Sequence, residues 1–228
     1  MVAVYPMVSD SNTSATAKTQ FTYNLVNPAT HTATYLNNNS TGGYGGLTNA
    51  GGDTFITISP NTIGNNFVAG LYTNSDAATA DVIDLGVYKP AGDEYIIVSC
   101  GRNKSGANAQ VIAAPDGNGN YIYNVTGAGP FTGLFGIGGN STTSYFYRRT
   151  SLLITGTYNN ATRGDNNKIG IGALLQENTT AISPTTKTYQ FAFMSTFLDT
   201  TQFSNLADAV NILQGDIDTI FATSRKAY

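Results

Sequence analysis

Apolar residues alternate with small or polar ones along most of this chain, in short runs separated by Asn, Gly, Ser, Thr and Pro. That alternation places one row of side chains on a buried face and the next on a wet one, which is the period of a β-strand. It predicts strands at 21–26, 54–59, 67–73, 82–88, 94–100, 110–114, 121–125, 144–149, 151–158, 168–175 and 188–194. In the last of these, Tyr189, Phe191 and Phe193 recur at every second position, so they are expected on one face, pointing into the core. After Leu198 the period changes. Asp199 stands as an N-cap with Gln202 at the N3 position, a capping-box arrangement, and Phe203, Leu206, Val210, Leu213, Ile217 and Ile220 follow at three- and four-residue steps. This predicts one amphipathic helix over about 200–221.

Many short strands with frequent turn signals and one late helix predict an all-β chain folded as an antiparallel β-sandwich with a C-terminal α-helix. No period of the solenoid or propeller kind is present. Residues 1–20 hold a short apolar segment followed by a Ser/Asn/Thr/Ala-rich stretch, expected as an N-terminal arm or linker, with the sandwich domain over 21–228. The stripe Phe203, Leu206, Val210, Leu213 and Ile217 has two readings. It docks the helix onto its own sandwich, or its near-heptad spacing serves assembly with copies of the chain.

Composition narrows the function. Charged residues make up 11% of the chain, against about a quarter in average soluble proteins. The 11 basic and 14 acidic residues, net −3, are thinly spread, with no basic run to track phosphates, so nucleic-acid binding is not expected. No apolar run approaches a membrane span, and the first ten residues lack the pattern of a signal peptide. The one cysteine, Cys100, lies in the apolar run Tyr95-Ile-Ile-Val-Ser-Cys100 and is expected as a buried, inert thiol.

Catalytic and metal chemistry find few carriers. His31 is the one histidine and has no Ser-Gly elbow beside it; with a single Cys it leaves too few ligands for structural zinc. Glu94 and Glu177 are the two glutamates, and neither belongs to a paired-carboxylate string of the glycosidase kind. Asp116-Gly-Asn118-Gly-Asn120 begins like a calcium loop, but Tyr121 and Gly127 occupy the places where Gly and a bidentate Glu belong, so a hairpin turn is expected. Gly133-Leu-Phe-Gly136-Ile-Gly138-Gly139 lacks the spacing of a nucleotide loop and reads as a bend or bulge. Arg163-Gly-Asp165 and the Asn-x-Ser/Thr sites at Asn124, Asn140 and Asn178 arise easily in a chain this rich in Asn and Thr. The expectation is therefore no enzyme, no metal and no cofactor.

Several segments carry a family likeness: Gln20-Phe-Thr-Tyr-Asn-Leu-Val26, the hairpin-like pair Ser151-Leu-Leu-Ile-Thr-Gly-Thr-Tyr158 and Lys168-Ile-Gly-Ile-Gly-Ala-Leu-Leu175, and the ending Phe191-Ala-Phe-Met-Ser-Thr-Phe-Leu198 before the helix. In this pattern the chain resembles the concanavalin A-like lectin/glucanase superfamily in its laminin-G-like form, as found in tail- and virion-associated proteins of phages of gut Bacteroidetes. Leu198 and Gln202 match the group's link from last strand to closing helix. The acidic calcium ligands and the catalytic carboxylate string of other branches are missing here. The resemblance implies that the sandwich is a jelly roll and that the chain is a non-enzymatic structural protein of a phage virion: a head-fibre, decoration or tail-associated part assembled in the host cytoplasm. Its partners would be other virion proteins or copies of itself, with a homotrimer one form. The alternative is a carbohydrate-binding module that contacts a cell-surface glycan by stacking sugar on Tyr44, Tyr72 or Tyr147. A glycan-cleaving enzyme is the third and least supported reading.

Overall fold

The structure, a computed structural model, describes residues 3–6, 25–27, 29, 41–43, 46–48, 56–58, 66–74, 83–89, 94–104, 107–115, 121–126, 132–140, 143–157, 169–176, 180–182 and 187–224. Within them the strands are, in chain order, β1 (Ala3–Pro6), β2 (Thr41–Gly43), β3 (Gly46–Thr48), β4 (Ile56–Ile58), β5 (Phe67–Thr73), β6 (Leu85–Lys89), β7 (Glu94–Lys104) and β8 (Ala107–Pro115). There follow β9 (Tyr121–Thr126), β10 (Gly133–Asn140), β11 (Thr143–Arg148), β12 (Ser151–Thr157), β13 (Ile169–Ile171), β14 (Leu174–Gln176), β15 (Thr180–Ile182) and β16 (Thr188–Thr196). The helix α1 (Thr200–Ser224) closes the described chain.

The first sheet runs β12-β11-β10-β5-β16-β3-β2, with β1 paired to β16. The second runs β15-β14-β6-β7-β8-β9, with β13 joining β6 to β4. Neighbours are antiparallel except β14 and β6, which are parallel. The protein is thus an antiparallel β-sandwich with a C-terminal helix.

Register assigns the faces of the first sheet. Val68, Gly70 and Tyr72 on β5 lie opposite Gly138, Gly136 and Leu134 on β10, and opposite Ser195, Phe193 and Phe191 on β16. These residues share the face on which α1 lies, and Val68, Leu134, Tyr147, Phe191 and Phe193 form one apolar cluster with Phe203, Ala207 and Val210 of the helix. The opposite face carries Phe67, Ala69, Leu71, Phe135, Ile137, Phe146, Ala192, Met194 and Tyr5, all buried. Because both faces are covered, β5, β10 and β16 are buried along nearly their whole length and do not alternate cleanly in sequence.

Several sequence expectations change here. Tyr189, Phe191 and Phe193 are all buried, yet they do not share a face. The register between β16 and β5 shifts between Tyr189 and Phe191, and the extra residue at this bulge, Gln190, reverses the side on which the following side chains emerge. Tyr189 pairs with Thr73 and turns toward the space between the sheets, while Phe191 and Phe193 turn toward the helix.

Gly133–Asn140 is a regular central strand instead of a bend. In the segment expected as one strand, Ile169–Ile171 and Leu174–Gln176 are two strands broken at Gly172, whose φ of 87° suits glycine. They do not form a hairpin with Ser151–Thr157, because β12 belongs to the first sheet and β13 to the second. Within the segment expected as an N-terminal arm or linker, Ala3–Pro6 forms a strand paired with β16, and Tyr5 is buried. Leu25 and Val26, expected at the end of a strand, are exposed and lie outside the strands.

Two contacts fix the layers. Between the sheets, the Asp84 carboxylate accepts from Lys187 Nζ at 3.1 Å and from the Tyr189 hydroxyl at 2.6 Å, and both acidic and basic side chains are almost wholly buried. On the other face, Phe203 of α1 sits over Gly136, where a Cβ would come within 2.5 Å of its ring. Tyr147 stacks on that ring at 4.3 Å between centroids, with 12° between planes, and Phe193 flanks it at 6.2 Å.

Replacing Lys187 with Met should cost about 3–5 kcal/mol, since Asp84 would remain buried opposite no cation. The double variant Lys187→Met/Asp84→Asn should recover much of that loss. Urea midpoints of the three proteins test this, and a single-variant cost near zero would contradict it. Gly136→Ala should destabilise the fold by about 1–3 kcal/mol through overpacking against Phe203. Pairing it with Phe203→Leu should be less costly than the sum of the two single changes, which thermal melts can measure.

Candidate functional site

The helix starts where the sequence places it. Gln202 N–H donates to Asp199 Oδ1 at 2.8 Å, and Gln202 Oε1 accepts from Asp199 N–H at 3.0 Å, so the capping box is closed. From there Phe203, Ala207, Val210 and Gln214 form the buried row. Of the proposed assembly stripe, Phe203 and Val210 are buried against the first sheet and Leu206 packs partly against the same cluster. Leu213 is 46% exposed and Ile217 is intermediate. The docked row therefore runs through Ala207 and Gln214, which the apolar pattern alone did not single out.

The three tyrosines proposed for sugar stacking separate. Tyr147 is fully buried, its ring against Phe203 and its hydroxyl donating to the Leu198 carbonyl at 2.9 Å. It cannot meet a ligand, because the face a sugar would use is already covered by the helix. Burial, with smaller effects from Tyr145 and Asp199, pushes its pKa well above the usual tyrosine value. Tyr72 is half-buried on β5, its pKa raised by burial and by Asp218 of the helix and lowered by Arg149. Tyr44 lies outside the described residues.

Other residues singled out in the sequence lie on strands or outside the described residues. Cys100 and Glu94 lie on β7, whereas His31, Glu177, Asp116–Asn120 and Arg163–Asp165 fall outside the described residues. Among the described residues no group of three His, Cys, Asp or Glu side chains could hold a metal ion. Asp84 is buried in the interior and bonded to Lys187 and Tyr189.

A different set of side chains does converge on the surface. At the end of the first sheet where α1 begins, Tyr145 of β11 and Phe197, just past β16, place their rings 4.8 Å apart at 55°. Both remain partly exposed, as do Asn140 and Thr143, while Thr196 and Asp199 are exposed. Asn140 Nδ2 donates to the Tyr145 hydroxyl at 3.0 Å. Phe197 N–H donates to the Asn66 carbonyl at 3.1 Å, which ties the segment after β16 to the start of β5. Strand pairing sets the spacing: Asn140 lies opposite Thr143, and Tyr145 lies opposite Gly138, whose missing side chain leaves the ring uncrowded from that neighbour. The result is an aromatic pair rimmed by amide and hydroxyl groups. Its sequence trace was the Asn140-Ser-Thr-Thr-Ser-Tyr145 stretch, but Phe197 is distant in the chain and only the fold joins the two.

No family model matches the chain, and no curated protein matches it. Solved structures do. Domain 4 of AbnA, a GH43 extracellular arabinanase from Geobacillus stearothermophilus in complex with arabinotriose, superposes with a TM-score of 0.58 at 11% identity, over 90% of this chain and 97% of that one. The likeness establishes a shared β-sandwich fold. The K499G mutant of NanB sialidase from Streptococcus pneumoniae matches with a TM-score of 0.48 at 11% identity over 65% of this chain and 26% of that one. The CBM40 of the Ruminococcus gnavus IT-sialidase, bound to α2,3-sialyllactose, matches with 0.46 at 10% identity over 70% and 95%.

The buried phenols make stability depend on alkaline pH. Below the ordinary tyrosine value of 10.0, Tyr147 is neutral in both the folded and the unfolded chain, and its contribution is complete. Above that value the unfolded chain releases the proton while the folded one still holds it, so stability falls as pH rises. Melting temperatures should therefore drop from about pH 10 upward. Tyr147→Phe should soften that drop, with Tyr5, also raised by burial, accounting for part of the remainder. At neutral pH the same substitution should cost about 1 kcal/mol for the lost bond to Leu198.

Proposed function

We propose that this protein is a non-catalytic carbohydrate-binding β-sandwich domain that receives its ligand at the Tyr145–Phe197 end of the first sheet. The observation that carries the reading is the partly exposed aromatic pair with Asn140 hydrogen-bonded to the Tyr145 hydroxyl. A saccharide presents apolar C–H faces and a rim of hydroxyls. An aromatic ring takes the first, and amide and hydroxyl groups take the second with little desolvation cost. A low-charge chain rich in Asn, Ser and Thr suits a ligand of that kind. The fold likeness supports the same reading, because the AbnA domain was solved with arabinotriose.

The reading moves the stacking role from Tyr44, Tyr72 and Tyr147 to Tyr145 and Phe197. A structural role in a phage particle, the other expectation, draws no support from the site geometry or from the fold likeness.

Isothermal titration with a panel of arabinotriose, xylotriose, maltotriose and sialyllactose tests the proposal. At least one saccharide should bind, and Tyr145→Ala should weaken that binding on the order of tenfold, about 1.4 kcal/mol, with the fold intact by circular dichroism. Phe197→Ala should act in the same direction. Binding that survives both substitutions would move the site elsewhere.

A further inference from the structure

We infer that the site selects neutral saccharides and rejects uronic and sialic acids, with Asp199 as the residue that sets this preference. The inference rests on the carbohydrate-binding reading above and concerns the charge of the ligand. Asn140 and Tyr145 supply neutral donors and acceptors: with Nδ2 donating to the Tyr145 hydroxyl, Asn140 retains Oδ1 and a second N–H, and Tyr145 retains its own O–H. Asp199 lies two residues beyond Phe197, is exposed, and acts through its charge on the Tyr147 phenol of the same aromatic row. Its carboxylate uses one oxygen for the Gln202 N–H and keeps further acceptor capacity. Among the described side chains the fixed charge at this end is therefore negative, suited to accepting from sugar hydroxyls and repelling a carboxylate.

Cations among the described side chains stand elsewhere. Arg149 is at the β11–β12 turn, held to the Thr132 carbonyl and hydroxyl, and Lys187 is buried with Asp84, both at the opposite end of the first sheet. Arg148 pairs with Phe135, on the face away from the helix. A helix N-terminus would ordinarily attract an anion, since its first N–H groups point outward and the dipole is positive there. In α1 that place is taken by the Asp199 side chain itself, and the first turn contains no other acid. Removing the charge while keeping the cap would leave the positive end of the helix uncompensated, and an acidic sugar would gain.

The Asp199→Asn variant makes that change, because Asn caps a helix as well as Asp. Titrations of wild type and variant with arabinotriose, xylotriose, lactose, 3′-sialyllactose and trigalacturonate at low and high salt give the readout. For wild type the neutral sugars should bind more tightly than the acidic ones, by about tenfold within the lactose and sialyllactose pair at low salt. In Asp199→Asn the gap should shrink by about fivefold through improved binding of the acids, with the melting curve unchanged, and the wild-type gap should narrow at high salt. Tyr145-dependent binding of acidic sugars at least as tight as neutral ones overturns the inference and leaves the carbohydrate reading standing. So does an unchanged gap in the variant. Absence of binding to every sugar overturns both.

Discussion

The central strands of the first sheet, β5, β10 and β16, have no wet face, and most of the architecture follows from that constraint. They carry large apolar side chains on both sides, so one side needs the second sheet and the other needs the helix. Phe203 makes the second cover possible. Its ring fits because β10 presents Gly136 beneath it, and Tyr147 and Phe193 close around it. A side chain on residue 136 would lift the helix from the sheet, and the cluster of Val68, Leu134, Phe191 and Phe193 would lose its lid. Burial of this kind stabilises by about 25 cal/mol per Å² of apolar surface, so the helix is held by the area it covers more than by its own propensity.

Between the sheets a polar contact fixes position. Asp84, Lys187 and Tyr189 meet in the interior, with both charges paired and the phenol donating to the same carboxylate. Such a cluster adds little net stability over an apolar replacement of similar shape, but a shifted arrangement would strand a charge, so it discriminates against other packings of the two sheets. The bulge at Gln190 belongs to this arrangement. Without the extra residue Tyr189 would emerge on the helix side with Phe191 and Phe193, and Asp84 would lose its hydroxyl partner.

The candidate site is the outer end of the same aromatic row. From Phe203 and Tyr147, fully buried, the rings pass to Tyr145 and Phe197, partly exposed. The interior of the row is rigid packing and its edge is a surface with a fixed shape. A ligand stacking there meets rings whose positions are already set by the sheet and by the start of the helix, so little ordering cost falls on binding. The charge beside it comes from the residue that caps the helix, which couples the identity of the cap to the chemistry the edge can accept.

Local patterns settled what local contacts can settle. The capping box at Asp199 and Gln202, the strand at Phe67–Thr73 and the helical step after Phe203 are each made by residues a few positions apart, and each stands as the sequence indicates. The β-sandwich class with its closing helix follows from the same patterns. What the chain alone left open was which face of each element meets which neighbour. A period of two shows that Tyr189, Phe191 and Phe193 alternate, but one bulged residue divides them, and its partner Thr73 is far away in sequence. The glycines of β10 resemble a loop until Phe203 is placed above them. Tyr147 and Tyr145 are equivalent in local pattern, yet the helix covers the first and leaves the second at its edge. Contacts such as Tyr189 with Asp84, 105 residues apart, decide these outcomes, because burial and partner are properties of the packed chain and are not written in any single segment of it.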